Sequence, residues 1–126
     1  MRRVFGAIVL AVLASRTALA EIPAREAFQL HCSGCHGLDG RGDAAFVPDL
    51  HALAPLIAVP GGREYLVRVP GVAQAPVESA ALARLLNFVL TEMSGVDDLD
   101  AFDAAEVEAL RRRPFLDPVG ARPLPR

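Results

Sequence analysis

The sequence contains no lysine, only two cysteines and, apart from Met1, a single methionine. It also shows no internal repeat and no alternation of apolar and polar residues of the kind that predicts a β-strand. All thirteen basic residues are arginines, and ten of them share residues 21–126 with the fifteen acidic residues, so this part has a net charge of −5. An acidic surface of this kind argues against nucleic acid as a partner.

The first twenty residues have the three regions of a secretory signal peptide. Residues 1–3 carry two arginines, residues 4–14 are apolar, and Ala18-Leu19-Ala20 is typical of a cleavage site. The apolar run of about eleven residues is shorter than the roughly twenty that a membrane-spanning helix needs. An uncleaved amino-terminal anchor is the alternative. We expect residues 1–20 to be a signal peptide that directs export to the periplasm, with cleavage before Glu21.

The two cysteines lie in the run Cys32-Ser33-Gly34-Cys35-His36, which has the C-x-x-C-H spacing of an attachment site for c-type haem. In such a site the two thiols add across the two vinyl groups of one porphyrin, and the histidine ligates the iron. Two cysteines three residues apart lie on one side of a helical turn, so both reach one edge of the macrocycle. We predict one covalent haem c, bound through Cys32 and Cys35 with His36 as the metal ligand.

A zinc site and a redox-active dithiol are the other interpretations of this cysteine pair. Zinc would need a second pair of ligands, and the chain has no further cysteine. A thioredoxin-like dithiol would follow a buried strand, whereas residues 24–30 have the spacing of an amphipathic helix. The haem site therefore has the better support.

The rest of the chain predicts short helices separated by glycine and proline. Residues 24–32 form a helix that leads into the haem motif, and the glycine-rich residues 37–47 form a loop after it. The strongest helical periodicity lies at residues 79–92, which we expect to be a core helix. A capping box opens a shorter helix over residues 103–113. The proline-rich tail from residue 115 onward is expected to be extended and loosely held.

These features resemble a class I cytochrome c, a monohaem family with an all-helical fold. Ala24 and Phe28 occupy the positions at which that family lets its first helix cross its last one closely. Pro48, twelve residues after His36, matches the family's proline whose carbonyl accepts the proton of the iron-bound imidazole. The resemblance implies an all-α fold of about four to five short helices around the haem.

The resemblance also implies a domain plan and further haem contacts. A cytochrome c core is expected at residues 21–95, and residues 96–126 would add a helix and a proline-rich extension that cover the haem edge or dock a partner. Arg63 and Tyr65 precede residues 69–72, here called the distal loop. Family members often use side chains at such positions to hydrogen-bond the haem propionates. An ordinary exposed turn is the alternative for these two residues.

The resemblance fails at the sixth iron ligand. Small bacterial members carry Met-Pro-x-Phe before the final helix, and this chain has Val69-Pro70-Gly71-Val72 there. Met93 qualifies as a ligand only if residues 103–113 are the family's final helix, and a methionine at such a place is more often core filler. His51 and His31 are expected to be exposed. We therefore expect five-coordinate or weakly ligated iron under an apolar cap of valines.

The functional expectation from the resemblance is a periplasmic carrier of single electrons that is not an enzyme. Its partners would be redox proteins, namely a donor dehydrogenase and an acceptor oxidase or another cytochrome. A haem-based binder or sensor of a diatomic gas, using an open distal side, is the alternative. The expected absence of methionine ligation would lower the reduction potential.

Overall fold

The computed structural model describes residues 21–123, and the predicted signal peptide lies outside them. Within this part, seven short α-helices follow one another: α1 Ala24–His31, α2 Ser33–His36, α3 Ala54–Ile57, α4 Gly62–Arg68, α5 Pro70–Ala73, α6 Ser79–Phe88 and α7 Ala104–Arg111. A 3₁₀ turn at Leu50–Ala52 precedes α3, and a π-helical turn at Val89–Met93 continues α6. The predicted all-α class is confirmed, although proline and glycine divide the chain into more and shorter helices than expected.

Extended structure is almost absent from residues 21–123, which contain one isolated bridge between Asp43 and Val47. No helix in this part of the chain combines the length and the apolar character that crossing a membrane requires. Helices α1, α6 and α7 begin within one residue of where the sequence predicts them to begin. Pro23 precedes α1, and the Asp103 carboxylate accepts a hydrogen bond of 2.8 Å from the Glu106 amide at the start of α7.

The core forms where α6 lies between α1 and α7. Ala27 and Phe28 of α1 are buried against α6, and the Phe28 and Phe88 ring centroids are 6.4 Å apart. The close helix crossing that the resemblance implies is therefore present, between the first helix and residues 79–92. The same cluster contains Phe102 and the fully buried Val107. Helix α7 thus contributes to the same core cluster as α1 and α6.

The tail after α7 lies along α4. The Phe115 amide donates a hydrogen bond of 2.9 Å to the Arg68 carbonyl, and the Tyr65 hydroxyl donates one of 2.9 Å to the Pro118 carbonyl. The Tyr65 and Phe115 rings also pack with their centroids 5.8 Å apart. The tail is therefore attached to α4 at Phe115 and Pro118, through two residues about fifty positions earlier in the chain, while Leu116 and Val119 between and beyond these points stay exposed.

Candidate haem site

A cavity of about 880 Å³ opens between the C-x-x-C-H motif and helices α4 to α6. This volume lies within the range of roughly 300–1,000 Å³ that is usual for cofactor sites. Its wall is largely apolar, with contributions from every helix around it: Phe28, Leu53, Leu56, Leu66, Val69, Val72, Leu85, Leu86, Val89 and Leu90. Cys32, Cys35 and His36 belong to the same wall. The fold therefore places the predicted attachment residues on an apolar cavity.

A single helical turn brings the three motif side chains together. The amides of Cys35 and His36 both donate to the Cys32 carbonyl, at 3.2 and 3.0 Å. Both cysteines are free thiols; Cys32 is half-buried and Cys35 is exposed. Burial raises the pKa of the Cys32 thiol, and repulsion from Cys35 adds to this effect, so Cys32 stays a neutral thiol at neutral pH.

The His36 imidazole is held by the loop that follows it. Its Nδ1 lies 3.1 Å from the Pro48 carbonyl oxygen, which is the contact that the resemblance implied. The loop comes this close because Gly42 adopts a φ of +66° and has no side chain: a Cβ there would lie 2.8 Å from the Pro48 oxygen and closer still to that of Val47. With Nδ1 bonded to the carbonyl, Nε2 is the ring nitrogen left for iron.

These residues fit a covalently attached haem. Two thiols, one oriented imidazole and an apolar wall are what a c-type haem requires of its protein. Large apolar side chains also border the cavity at its mouth, where Phe46 is 90% exposed and Val119 is 85% exposed. A macrocycle in the cavity would cover such surface. Residues 21–123 contain no group of three or more His, Cys, Asp or Glu side chains placed to hold a metal ion directly.

The structure does not bring Arg63 to this cavity. Its guanidinium forms two hydrogen bonds of 2.7 Å with the Glu106 carboxylate and a third with the Asp100 carbonyl, and it lies 3.9 Å above the Phe102 ring. Arg63 instead lines a smaller cavity of about 370 Å³ beside Leu99. The hydrogen bond to Glu106 raises the pKa of Arg63, so the pair stays charged. Arg63 therefore joins α4 to α7, which argues against the predicted propionate contact.

Tyr65 does line the cavity, but its hydroxyl already donates to Pro118. Two arginines that sequence reasoning missed, Arg41 and Arg122, lie in the cavity wall and are exposed. Arg41 could have been found, because it follows the haem motif closely within the glycine-rich loop. Arg122 could not, because no local pattern connects the tail to the cavity. Either guanidinium has the chemistry to bind a haem carboxylate.

The distal loop, residues 69–72, places Val69 and Val72 in the cavity wall, as expected of an apolar cap. Met93 does not belong to that wall among the described residues. A Cβ on Gly40 would lie 3.0 Å from the Met93 sulfur, so this sulfur packs against the glycine-rich loop. Since α1 packs against α6 and not mainly against α7, the helix alignment that Met93 ligation needs is not the observed one.

The two remaining histidines are exposed, as predicted. His51 Nδ1 lies 2.7 Å from an Asp49 carboxylate oxygen, and hydrogen bonds from the His51 amide and ring lower the pKa of Asp49. His31 lies at the cavity wall beside the first cysteine of the motif. Among the described residues of that wall, His36 is thus accompanied by one other histidine and by no methionine.

Comparison with known proteins agrees with this geometry. No curated protein and no solved structure gave a significant match to the chain. A family model described as Cytochrome c matches residues 23–109, more than two thirds of the sequence, and this match contains the C-x-x-C-H motif, Pro48 and most of α7. Proteins of that family bind haem covalently through cysteine and transfer electrons with it. The chain belongs to the cytochrome c family.

Proposed function

We propose that this protein is a periplasmic carrier of single electrons that uses one haem c, bound through Cys32 and Cys35 with His36 as an iron ligand. The observation that supports the proposal most is the meeting of both thiols and the His36 ring at one apolar cavity. The haem supplies the redox chemistry, and the chain binds, orients and insulates it.

Each part of the site has a task in such a carrier. The two thiols tether the macrocycle, and the Pro48 carbonyl fixes the His36 ring and makes its other nitrogen a more basic ligand. The apolar wall excludes water, which sets the polarity around the iron and hence its potential. No described side chain in the wall forms a nucleophile and base pair of the kind that substrate chemistry would need.

The periplasmic location rests on residues 1–20, whose basic, apolar and small-residue regions are typical of an export signal. A donor dehydrogenase and an acceptor oxidase or a second cytochrome are the expected partners. The net charge of −5 over residues 21–126 favours partners that present a basic patch.

Mass spectrometry and absorbance of the exported protein test the proposal. We expect residues 21–126 plus the mass of one haem, colour that survives a denaturing gel, and reversible reduction by one electron. The double variant C32A/C35A is the control and should lose the covalent colour. A colourless wild-type product, or a haem that does not cycle reversibly, would contradict the proposal.

A second candidate function, binding of a diatomic gas, is favoured by the distal loop. Val69 and Val72 supply no iron ligand, and the described cavity wall holds no methionine. Titration of the reduced protein with carbon monoxide and measurement of its electron self-exchange rate, on one preparation, separate the two functions. Fast exchange with weak gas binding supports the carrier, and tight gas binding with slow exchange supports the sensor.

A further inference from the structure

Residues 113–123, here called the C-terminal strap, continue past α7 and cross back over α4. The strap is fixed first at Arg68, the last residue of α4: the Phe115 amide donates to the Arg68 carbonyl at 2.9 Å. In return, the Arg68 side chain donates to the Arg113 carbonyl, and its guanidinium lies 3.9 Å above the Phe115 ring. Because Arg68 is directly followed by Val69, this attachment joins the strap to the start of the distal loop.

One helical turn earlier, Tyr65 gives the strap a second attachment. Its hydroxyl donates to the Pro118 carbonyl, and its ring packs on Phe115. Beyond this point the strap enters the wall of the haem cavity, to which Pro118, Val119 and Arg122 contribute. The strap is therefore held outside the cavity at Phe115 and reaches it three residues later.

We infer that the C-terminal strap is a wall of the haem site, lying beside the distal loop, and that it controls the access of water and small ligands to the iron. The inference rests on the haem proposed above. In its favour, the strap is attached to Arg68, the residue directly before the distal loop, and Tyr65 and Pro118 touch each other within the cavity wall. Bulky side chains that shield the open face of a haem are a recognised control on ligand binding.

The strap is attached to the helical core through few buried side chains. Its Leu116 is 101% exposed and its Val119 is 85% exposed, so few buried contacts hold it, and its attachment depends on Tyr65, Arg68 and Phe115. Segments with few buried contacts open at a lower free energy than the core does. Loss of one attachment should therefore raise the population of the open strap while the helical core stays folded.

The test is the rate at which carbon monoxide binds the reduced, haem-loaded protein. Phe115 does not line the cavity, so F115A removes no group from the wall and acts through what Phe115 packs against, namely the strap and the Tyr65 ring. We expect F115A to bind carbon monoxide faster than wild type. Y65F keeps the ring and removes only the hydrogen bond to Pro118, and we expect a rate about two- to tenfold above wild type. L116A removes an exposed neighbour on the same strap and should match wild type.

The outcomes separate this inference from the proposed function. If the wild-type protein carries no covalent haem by mass, the proposed function fails. If haem is present and wild type, F115A and Y65F bind carbon monoxide at equal rates, the inference about the strap is overturned. Equal acceleration by L116A would overturn it as well. If F115A does not fold, the carbon monoxide binding rate of Y65F alone decides the test, because this variant removes only the Tyr65 hydroxyl oxygen.

Discussion

His36 Nδ1 lies 3.1 Å from the carbonyl oxygen of Pro48, twelve residues further along the chain. This hydrogen bond spans a loop that backbone hydrogen bonds close. The Gly42 amide donates to the His36 carbonyl at 2.7 Å, and the Leu50 amide donates to the Gly40 carbonyl at 2.9 Å. The orientation of the His36 ring thus depends on how tightly this loop can fold.

Replacing Gly42 by alanine should displace Pro48 and release the imidazole. The new Cβ would overlap the Val47 and Pro48 carbonyls at a φ of +66°. Gly95→Ala is the matched control, because Gly95 has a φ of +64° and nothing within 4 Å of such a Cβ. The control should cost about 1–2 kcal/mol for backbone conformation alone. Gly42→Ala should cost clearly more in thermal unfolding and shift the midpoint potential; equal losses in the two variants would contradict the steric account.

Replacing Met93 by leucine should leave the visible and near-infrared spectra of the haem protein unchanged. The Met93 sulfur packs against Gly40 and not in the cavity wall, so it is not placed to reach the iron. The swap conserves volume and should cost less than about 1.5 kcal/mol. We also expect the wild-type protein to lack the weak near-infrared absorption band that an iron–methionine sulfur bond gives. Such a band in wild type, lost in Met93→Leu, would establish the methionine as a ligand.

Arg111 and its neighbour Arg112 should differ sharply when each is changed to alanine. The Arg111 guanidinium donates to the Ala73, Ala75 and Val77 carbonyls at 3.1, 2.6 and 2.7 Å. Arg112 is 71% exposed and pairs only with Glu108 on its own helix. We expect Arg111→Ala to lower the free energy of unfolding by about 1–3 kcal/mol and Arg112→Ala by about 0.5 kcal/mol or less. Similar losses would show that the three carbonyl contacts contribute little.

Changing Arg63 to alanine should lower stability and leave the midpoint potential near its wild-type value. The half-buried pair with Glu106 and the contact above Phe102 join α4 to α7, at a distance from the thiols. We expect a loss of about 1–3 kcal/mol in denaturant unfolding. The double variant with Glu106→Ala should lose less than the two single variants added together. A large shift in potential without a stability loss would restore the propionate role.

The stability of the fold should depend on Glu108 at acid pH. Hydrogen bonds from Ser79 and then Arg112 hold the pKa of Glu108 below its ordinary value. The folded state therefore binds this proton less tightly than the unfolded state, so the stabilisation is complete above the ordinary pKa of about 4.3 and is lost as the pH falls through the lowered folded value. Unfolding between pH 3 and 6 should show a shallower acid loss for Glu108→Gln, with Arg112→Ala in between. An unchanged profile would contradict this contribution.

Local patterns were enough to predict the haem motif and the main helices, and the family resemblance added the all-α fold and the contact of His36 with the Pro48 carbonyl. These features depend on spacing within a few turns of chain, and the C-x-x-C-H run has one dominant chemical use. The partner of the Arg63 guanidinium could not be predicted, because Glu106 lies 43 positions away and was expected to complete a capping box. The Glu106 amide donates to the Asp103 carboxylate as a capping box requires, whereas the Glu106 carboxylate pairs with Arg63 of another helix.

The tail illustrates the same limit. Prolines near the end of a chain predict extended structure, and they say nothing of what that structure lies against. In the sequence alone, Tyr65 and Arg68, which hold the tail, indicate only one face of a short helix. Only the packing of α7 on α4 brings residue 115 beside them.

Arg111 holds three alternate carbonyls, those of Ala73, Ala75 and Val77, and this bears on the rate of the proposed electron transfer. The segment it holds, residues 73–77, continues directly from the valines over the cavity. With haem bound as proposed, dipoles fixed in this way would rearrange little when the charge of the iron changes by one. A preorganised environment of this kind lowers the reorganisation cost of each transfer, so a structural arginine on the last helix would help to set the speed of the redox reaction.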